Sequence, residues 1–258
     1  MKLPYFAGRN ARLAGAVVAM LSVSACVIQN TPEKVAQVEE TNDPFEPTNR
    51  YIFEVNRFLD EMLFKPVAWW YRIGVPDPAR ERIHLALANL RLPWTAVNDV
   101  FQGEMKRAYD ASARFVINTT VGVVGLFDVA TDWGFPQHEE DAGQTFAVLG
   151  VPEGPYLMLP VLGPSNPRDA AGLAVDYFAD PVNLVLDNNA GSGAGLARGG
   201  ATAVDRRERN IETVADLERN SVDFYATIRS IYRQRRATEI RNGAPDTNYP
   251  APSLSKQN

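Results

Sequence analysis

The sequence predicts a mainly helical protein, and three features carry this prediction. Residues 49–63 place apolar side chains at the spacing of one helical face, and residues 205–235 do so again within a strongly charged segment. Asp77-Pro78 is a helix start signal, because proline fits the first helical position. Only residues 156–162 have the character of a short strand.

Prolines and glycines divide the middle of the chain into short elements. The first helix, over residues 49–63, is expected to end at Lys65-Pro66, and another begins at residues 67–71. A further helix covers residues 105–120, where apolar residues recur on one side. Asn166-Pro167 then opens a helix that runs towards Tyr177.

The N-terminus has the pattern of a bacterial lipoprotein signal. Lys2, Arg9 and Arg12 precede a nine-residue apolar stretch, which is too short to remain as a membrane-spanning helix. Residues 21–26 then read Leu-Ser-Val-Ser-Ala-Cys and resemble the lipobox, whose thiol is the nucleophile that takes up diacylglycerol. We therefore expect lipidation at Cys26. The alternative is a buried structural cysteine after an ordinary signal peptide.

Five segments are predicted along the chain. They are a lipoprotein signal peptide (1–25), a lipidated tether (26–44), a helical core (45–188), a glycine-rich connection with a charged C-terminal helix (189–241) and a disordered tail (242–258).

Composition limits the compartment and the partners. Cys26 is the single cysteine, so no internal disulfide can form. Residues 1–25 contain three of the 26 basic residues and none of the 31 acidic ones, which leaves a mature net charge of −8. This balance argues against nucleic-acid binding, which normally needs a basic face. Val27 follows the cysteine, and in bacteria that retain lipoproteins by an aspartate at that position it indicates the outer membrane.

The sequence offers no catalytic or cofactor-binding set. His84 lies on the polar side of its helix, and residues 138–141 (His-Glu-Glu-Asp) lack the spacing of a metal motif. Ser192 lies between two glycines but outside the pattern of a nucleophile elbow. We therefore predict no enzyme, no cofactor and no metal site.

Aromatic residues are concentrated in the first half of the chain. They are either core residues or residues on helices that face lipid, and the sequence alone leaves both readings open. They are Phe53, Phe58, Phe64, Trp69, Trp70, Trp94 and Phe101.

Many ordered residues carry a family resemblance. Residues 42–46 (Asn-Asp-Pro-Phe-Glu) are followed by Asn49-Arg50, Phe53, Asn56, Leu59-Asp60 and residues 65–68 (Lys-Pro-Val-Ala), and later by residues 115–122, 125–130, 154–156, 162–165 and 168–169. Over residues 42–183 this run resembles the MlaA (VacJ) family of outer-membrane lipoproteins. Lys65 replaces the usual arginine, and Ala142 stands where phenylalanine is usual.

The resemblance implies a fold and a function. Members of the family look like compact helical rings in the periplasmic leaflet of the outer membrane, with a central amphipathic channel. Phospholipid mislocated to the outer leaflet would pass through the ring to a soluble periplasmic carrier, which delivers it to the inner membrane. Association with trimeric porins is also implied.

Six residues are the candidates for the passage. We expect Asn49, Arg50, Asn56 and Asp60 to line it or to brace its helices. Gly122 and Gly125 are candidates for a gate, because glycine permits backbone motion.

Two other functions compete with transport. One is a structural, porin-binding scaffold lipoprotein that moves no lipid. The other is a lipid hydrolase at the membrane surface, which would need an activated nucleophile that the sequence does not supply.

Overall fold

The computed structural model describes residues 41–191 and 193–244, and the predicted mainly helical class is confirmed. Cys26, Ser192 and most of the predicted tail lie outside the described residues. The elements are α1 (Glu46–Leu59), a π-helical turn (Asp60–Phe64), α2 (Lys65–Gly74), α3 (Asp77–Asn89), α4 (Leu92–Gln102), α5 (Met105–Thr120), α6 (Val129–Asp132), α7 (Ala142–Val148), β1 (Leu157–Leu159), β2 (Gly163–Ser165), α8 (Pro167–Ala179), α9 (Pro181–Ala190), α10 (Ala194–Arg209), α11 (Ile211–Asn220) and α12 (Phe224–Ile240).

The first helix does not end at Lys65-Pro66, as the sequence suggested. It widens into the π-helical turn and continues directly into α2, with the Lys65 N–H donating to the carbonyl of Asp60. Pro66 has no N–H, and its ring would collide with a carbonyl of the preceding α-turn. One wide turn accommodates the proline without breaking the helix.

The single charged helix expected over residues 205–235 is instead three helices, α10, α11 and α12. Ser221 is extended, and the Asp223 side chain accepts a hydrogen bond from the Ala226 N–H, which caps the start of α12. The apolar periodicity runs on across this break and conceals it, whereas the aspartate cap is a local signal that marks it. The division of the chain into five segments stays a prediction.

A small cluster joins the two ends of the described chain. Strand β1 pairs with β2 as an antiparallel hairpin, with Met158 opposite Pro164. Tyr156 and Met158 pack with Phe53 of α1 and Tyr225 of α12. The Phe53 and Tyr225 rings meet edge to face at 5.6 Å between their centroids. The hairpin therefore lies between the first and the last helix.

Asp43 and Asn49 hold the same junction with hydrogen bonds. The Asn49 amide donates to Asp43 (2.8 Å) and to the Tyr156 carbonyl (3.0 Å), and it accepts from the Met158 N–H (2.9 Å). Asp43 also accepts from Arg229 of α12 at 2.6 Å. The side chains of Asp43 and Asn49 are almost fully buried. The ends of the chain are thus fastened by polar bonds as well as by the aromatic cluster.

The distribution of polar and apolar side chains is inverted relative to a soluble protein. Among residues 41–191 and 193–244, 21 buried residues are polar or charged and 11 are apolar or aromatic. Large apolar side chains are exposed on most helices, including Phe58, Trp70 and Phe101. Soluble proteins rarely expose large contiguous apolar surface, so this surface marks a contact with lipid or with partner proteins. In the described part of the chain, no helix is both long enough and apolar enough to span a bilayer.

Asn49→Ala is expected to destabilise the fold strongly. The substitution removes three hydrogen bonds and leaves the Met158 N–H and the Tyr156 carbonyl buried without this partner, so we expect the free energy of unfolding to fall by about 2–4 kcal/mol. Asn189→Ala is the matched control, because exposed Asn189 bonds, among the described residues, only to the carbonyl one turn earlier, and its loss should cost less than about 0.5 kcal/mol. Denaturant unfolding in neutral detergent measures both values, and equal losses would contradict the role of Asn49.

Candidate functional site

A cleft of about 180 Å³ opens between α1, the π-helical turn, the hairpin and the helices α10–α12. Its inner wall is largely apolar. The apolar lining includes Phe53, Met158, Ile211, Val214, Phe224 and Ile228. The cleft is therefore formed by the first and last parts of the described chain together.

The mouth of this cleft is charged. Three basic and three acidic side chains line it: Arg57, Lys65, Arg207, Asp60, Glu61 and Glu218. Arg207 holds both carboxylate oxygens of Asp60, at 2.6 and 2.8 Å, and Arg57 pairs with Glu218. The bidentate pair fixes α10 against the π-helical turn. The arrangement combines an apolar wall with a charged entrance of no net charge.

Asn56 and Asp60 are the two predicted site residues that line the cleft. The Asn56 amide donates to the Leu159 carbonyl (2.9 Å) and accepts from the Val161 N–H (2.8 Å). Asn56 thereby also holds the tip of the hairpin against α1. Asp60 likewise both lines the cleft and links two elements through Arg207. In these two residues the lining and bracing roles coincide.

Asn49 and Arg50 do not line the cleft and instead brace the helices around it. Arg50 bonds to Glu46 (2.7 Å) and to both carboxylate oxygens of Asp223 (2.5 and 3.1 Å), and it lies 4.4 Å from the centre of the Tyr225 ring. The hydrogen bond from Arg50 holds the pKa of Asp223 below its ordinary 3.8. Because Asp223 caps α12, Arg50 connects α1 to the start of the last helix.

Gly122 and Gly125 lie in a tight turn after α5. A Cβ on Gly122 would lie 2.3 Å from the Phe127 carbonyl oxygen, and Gly125 has a φ of +84° with the Asn89 side chain against it. The two residues between them, Val123 and Val124, are exposed and also have positive φ. Close packing and left-handed backbone therefore account for both glycines, while their role as a gate stays a prediction.

Hydrogen bonds to Asp128 hold the turn after α5 in place. Buried Arg114 donates two 2.9 Å hydrogen bonds to Asp128, and Asn118 donates a third. Burial alone would raise the pKa of Asp128, but hydrogen bonds from Thr131, Asn118 and Arg114 outweigh it and lower the pKa below 3.8. The Arg82 guanidinium lies 4.1 Å from the centre of the Phe127 ring. Any movement of this turn must carry these contacts with it or break them.

The side chains of residues 138–141 contact separate partners and do not converge on one site. His138 contacts Asp99 (2.8 Å), and Glu140 pairs with Arg107. Among the described residues, no three acidic, histidine or cysteine side chains converge as a metal site. His84 pairs with Asp205 at 2.7 Å. His84 thus links α3 to α10, and His138 links the segment before α7 to α4.

Asp141, at the end of the acidic run, links α7 to α12. It receives two 2.7 Å hydrogen bonds from Arg236 and caps α7 through the Gln144 N–H. Burial would raise the pKa of Asp141, but Arg236 outweighs burial and lowers it below 3.8. The pKa of Asp169, which lies 2.8 Å from Arg236, is also lowered in spite of its burial.

Sequence reasoning missed five of the six charged residues of the cleft mouth: Arg57, Glu61, Lys65, Arg207 and Glu218. Glu61 lies within the π-helical turn and Lys65 follows it directly, and the sequence pattern does not reveal this turn. Arg207 lies in the charged C-terminal segment, beyond the residues that carry the resemblance. The sequence signal that could have paired Asp60 with Arg207 is the opposite charge of the runs Asp60-Glu61 and Arg206-Arg207.

The part of the chain that matches a known protein family includes all the residues that line the cleft. The chain matches the MlaA lipoprotein family over residues 41–239, which include the helices α10–α12 of the cleft wall. The chain belongs to the MlaA lipoprotein family. The match extends well beyond residues 42–183, where the resemblance was first visible.

Two relatives named MlaA and one solved structure agree with the assignment. The chain is 32% identical to the Escherichia coli intermembrane phospholipid transport system lipoprotein MlaA, over 75% of this chain and 76% of that protein. It is 29% identical to the Haemophilus influenzae protein of the same name, over 88% and 90%. A chain solved in work on the structural basis for maintenance of bacterial outer membrane lipid asymmetry has a TM-score of 0.68 and 32% identity, and covers 77% of this chain and 98% of that chain.

Gly122→Ala is expected to destabilise the turn after α5, because the new methyl group meets two backbone carbonyls. We expect a loss of about 1–3 kcal/mol in the free energy of unfolding. Gly199→Ala is the matched control: Gly199 lies within α10 with open space around it, and alanine there should add about 0.5–1 kcal/mol. Thermal unfolding of both variants in detergent separates the two signs. A neutral Gly122→Ala would refute the tight packing.

Acid is expected to weaken the link between α7 and α12. A lowered carboxyl pKa contributes stability that is fully present above the unfolded value near 3.8 and is lost as pH falls through the folded value. Asp141→Asn should be less stable at pH 7 and should depend less on pH below about pH 4. Melting curves between pH 7 and pH 2.5 test this, with exposed Asp216→Asn as the control that should follow the wild type. Parallel curves for Asp141→Asn and the wild type would contradict it.

Proposed function

We propose that this protein is an outer-membrane lipoprotein that removes mislocated phospholipids from the outer leaflet and passes them to a soluble periplasmic carrier. It would thereby maintain the lipid asymmetry of the membrane without catalysing a reaction. The observation that carries the proposal is the inverted distribution of side chains, with apolar groups outside and polar groups inside. Membership of the MlaA family and the names of its relatives support the same function.

The apolar outer surface supports an embedded position in the periplasmic leaflet. Tyr51, Phe58 and Met62 are exposed on α1 and the π-helical turn, and Trp69 and Trp70 are exposed on α2. Tryptophan and tyrosine are enriched where hydrocarbon meets the headgroups. Helices that lie in the interface bury such faces without spanning the bilayer. A lipid on Cys26 would add a second attachment.

The cleft supports a route for the headgroup. Moving an ionised headgroup through hydrocarbon is costly, and a polar surface along the way removes that cost without any chemistry. The mouth of the cleft supplies charged groups, including Asp60, beside the Asn56 amide. Its apolar wall suits the part of the lipid next to the headgroup. A scaffold that only binds trimeric porins would need no such combination, although porin binding is part of the proposal.

Filling the cleft is expected to stop transport while the protein remains in place. In a gene-deletion strain, surface-exposed phospholipid should rise, and the intact gene should reverse the rise. Val214→Trp places a large side chain in the cleft and should fail to reverse it at equal protein abundance. Val185→Trp, at an exposed site on α9, is the matched control and should complement fully.

The deciding readout is the amount of phospholipid at the cell surface, measured with a reagent that does not cross the outer membrane. If deletion changes nothing while the membrane is otherwise intact, the transport function is wrong and the scaffold function gains support. If Val214→Trp complements as well as Val185→Trp, this cleft is not the route.

A further inference from the structure

The mouth of the cleft contains one acid and one base that the fold does not use. Asp60 is paired with Arg207, and Arg57 with Glu218. The side chains of Glu61 and Lys65 line the same cleft and, within the described part of the chain, have no hydrogen-bond or ion-pair partner. Both are exposed and free to meet a ligand. The fold therefore satisfies four of its six charges at the mouth and leaves a carboxylate and an ammonium group open.

The position of these two residues follows from the π-helical turn. Glu61 lies within the turn, and Lys65 begins α2 directly after it. Pro66 causes the wide turn, and π-turns are frequent at functional sites. Because Asp60 in the same turn is held by Arg207, the segment that bears Glu61 and Lys65 is fixed in place. The two open charges are presented from a rigid base.

An open acid and an open base match a ligand that carries both charges. We propose that the cleft selects phospholipids with zwitterionic headgroups, with Lys65 binding the phosphate and Glu61 binding the ammonium group. The proposal rests on the proposed function and specifies its substrate class. Lysine binds phosphate as a point charge, and the glutamate accepts hydrogen bonds from a primary ammonium.

The remaining features of the cleft favour a lipid over a free headgroup. Phe53 and Met158 lie deeper in the core, and Ile228 belongs to the same apolar wall. This wall gains nothing from a soluble phosphodiester but accepts the glycerol backbone and the first methylenes of a lipid. An anionic phospholipid could still place its phosphate on Lys65, but it has no ammonium group to offset the nearby Glu61 carboxylate. The cleft therefore discriminates by repulsion as well as by attraction.

Competitive lipid binding to the purified full-length protein tests this selection. The probes are phosphatidylethanolamine and phosphatidylglycerol with identical acyl chains, in a neutral detergent, read by native mass spectrometry. We expect a preference of roughly five-fold for phosphatidylethanolamine, the size that a solvent-exposed ion pair supports. Soluble glycerophosphoethanolamine at the same concentration should displace neither lipid. Displacement by it would overturn the assignment to a lipid.

Two variants separate the roles of the open charges. Glu61→Gln should abolish the preference, because phosphatidylethanolamine loses its ammonium contact while phosphatidylglycerol is freed from repulsion by the carboxylate. Lys65→Gln should weaken both lipids, because both present a phosphate. Glu104→Gln, an exposed acid outside the cleft, is the matched control and should keep the wild-type preference. All three side chains are exposed, so folding is checked simply by an unchanged melting temperature.

Different results would refute headgroup selection by the cleft and phospholipid transport by the protein. No wild-type preference, or equal effects of Glu61→Gln on both lipids, refutes the headgroup assignment, even when the cells still clear phospholipid from their surface. A deletion strain with unchanged surface phospholipid refutes the proposed function instead.

Discussion

Buried and half-buried ion pairs between separate elements are the interactions on which this structure depends. Asp43–Arg229 joins the two ends, Asp141–Arg236 joins α7 to α12, and Arg114–Asp128 holds the turn after α5. Lipid solvates an apolar side chain as well as a protein core does, so apolar burial drives helix association weakly in a membrane. Removing one partner of a buried pair leaves an uncompensated charge and costs about 3–5 kcal/mol. An inverted fold can therefore be held together from its polar interior.

These pairs also explain why the C-terminal helices belong to the site. As a sequence, residues 205–235 look like one solvated helix with charges on its outer face. In the structure, Arg207 reaches Asp60, and Glu208 accepts from Arg72 of α2 at 2.8 Å. Glu208 is buried, although a glutamate of this kind is normally exposed. The cleft exists because α10 and α11 are fastened by such pairs to the helix that begins the fold.

The sequence anticipated those elements whose signals are local. Helix α5 covers residues 105–120 as expected, and the asparagine cap and proline at 166–167 start α8 where they should. The π-helical turn was missed because Pro66 is compatible with two structures, a helix that ends before it and a helix that continues through a wide turn. Only the packing of α2 decides between them. The sequence also does not predict where each polar side chain points. Asn49 and Asn56 lie on the same helix, yet only Asn56 lines the cleft. Which face is buried follows from contacts more than a hundred residues away in the chain.

A site that passes lipid onward must bind it weakly, and the mouth of the cleft has the features that this demands. Strong pairs are buried or doubly hydrogen-bonded, and here they are reserved for the frame, as in Asp60 with Arg207. The open charges at Glu61 and Lys65 are exposed, where an ion pair is worth at most about 1 kcal/mol. Such contacts are strong enough to favour one headgroup and too weak to retain it. Tight binding at the same place would lower the concentration at which the site fills, but it would slow release by the same factor, because differences in affinity appear mainly in the rate of dissociation. The separation of strong structural pairs from weak ligand contacts is what would allow the proposed cleft to pass lipid onward while its frame stays fixed.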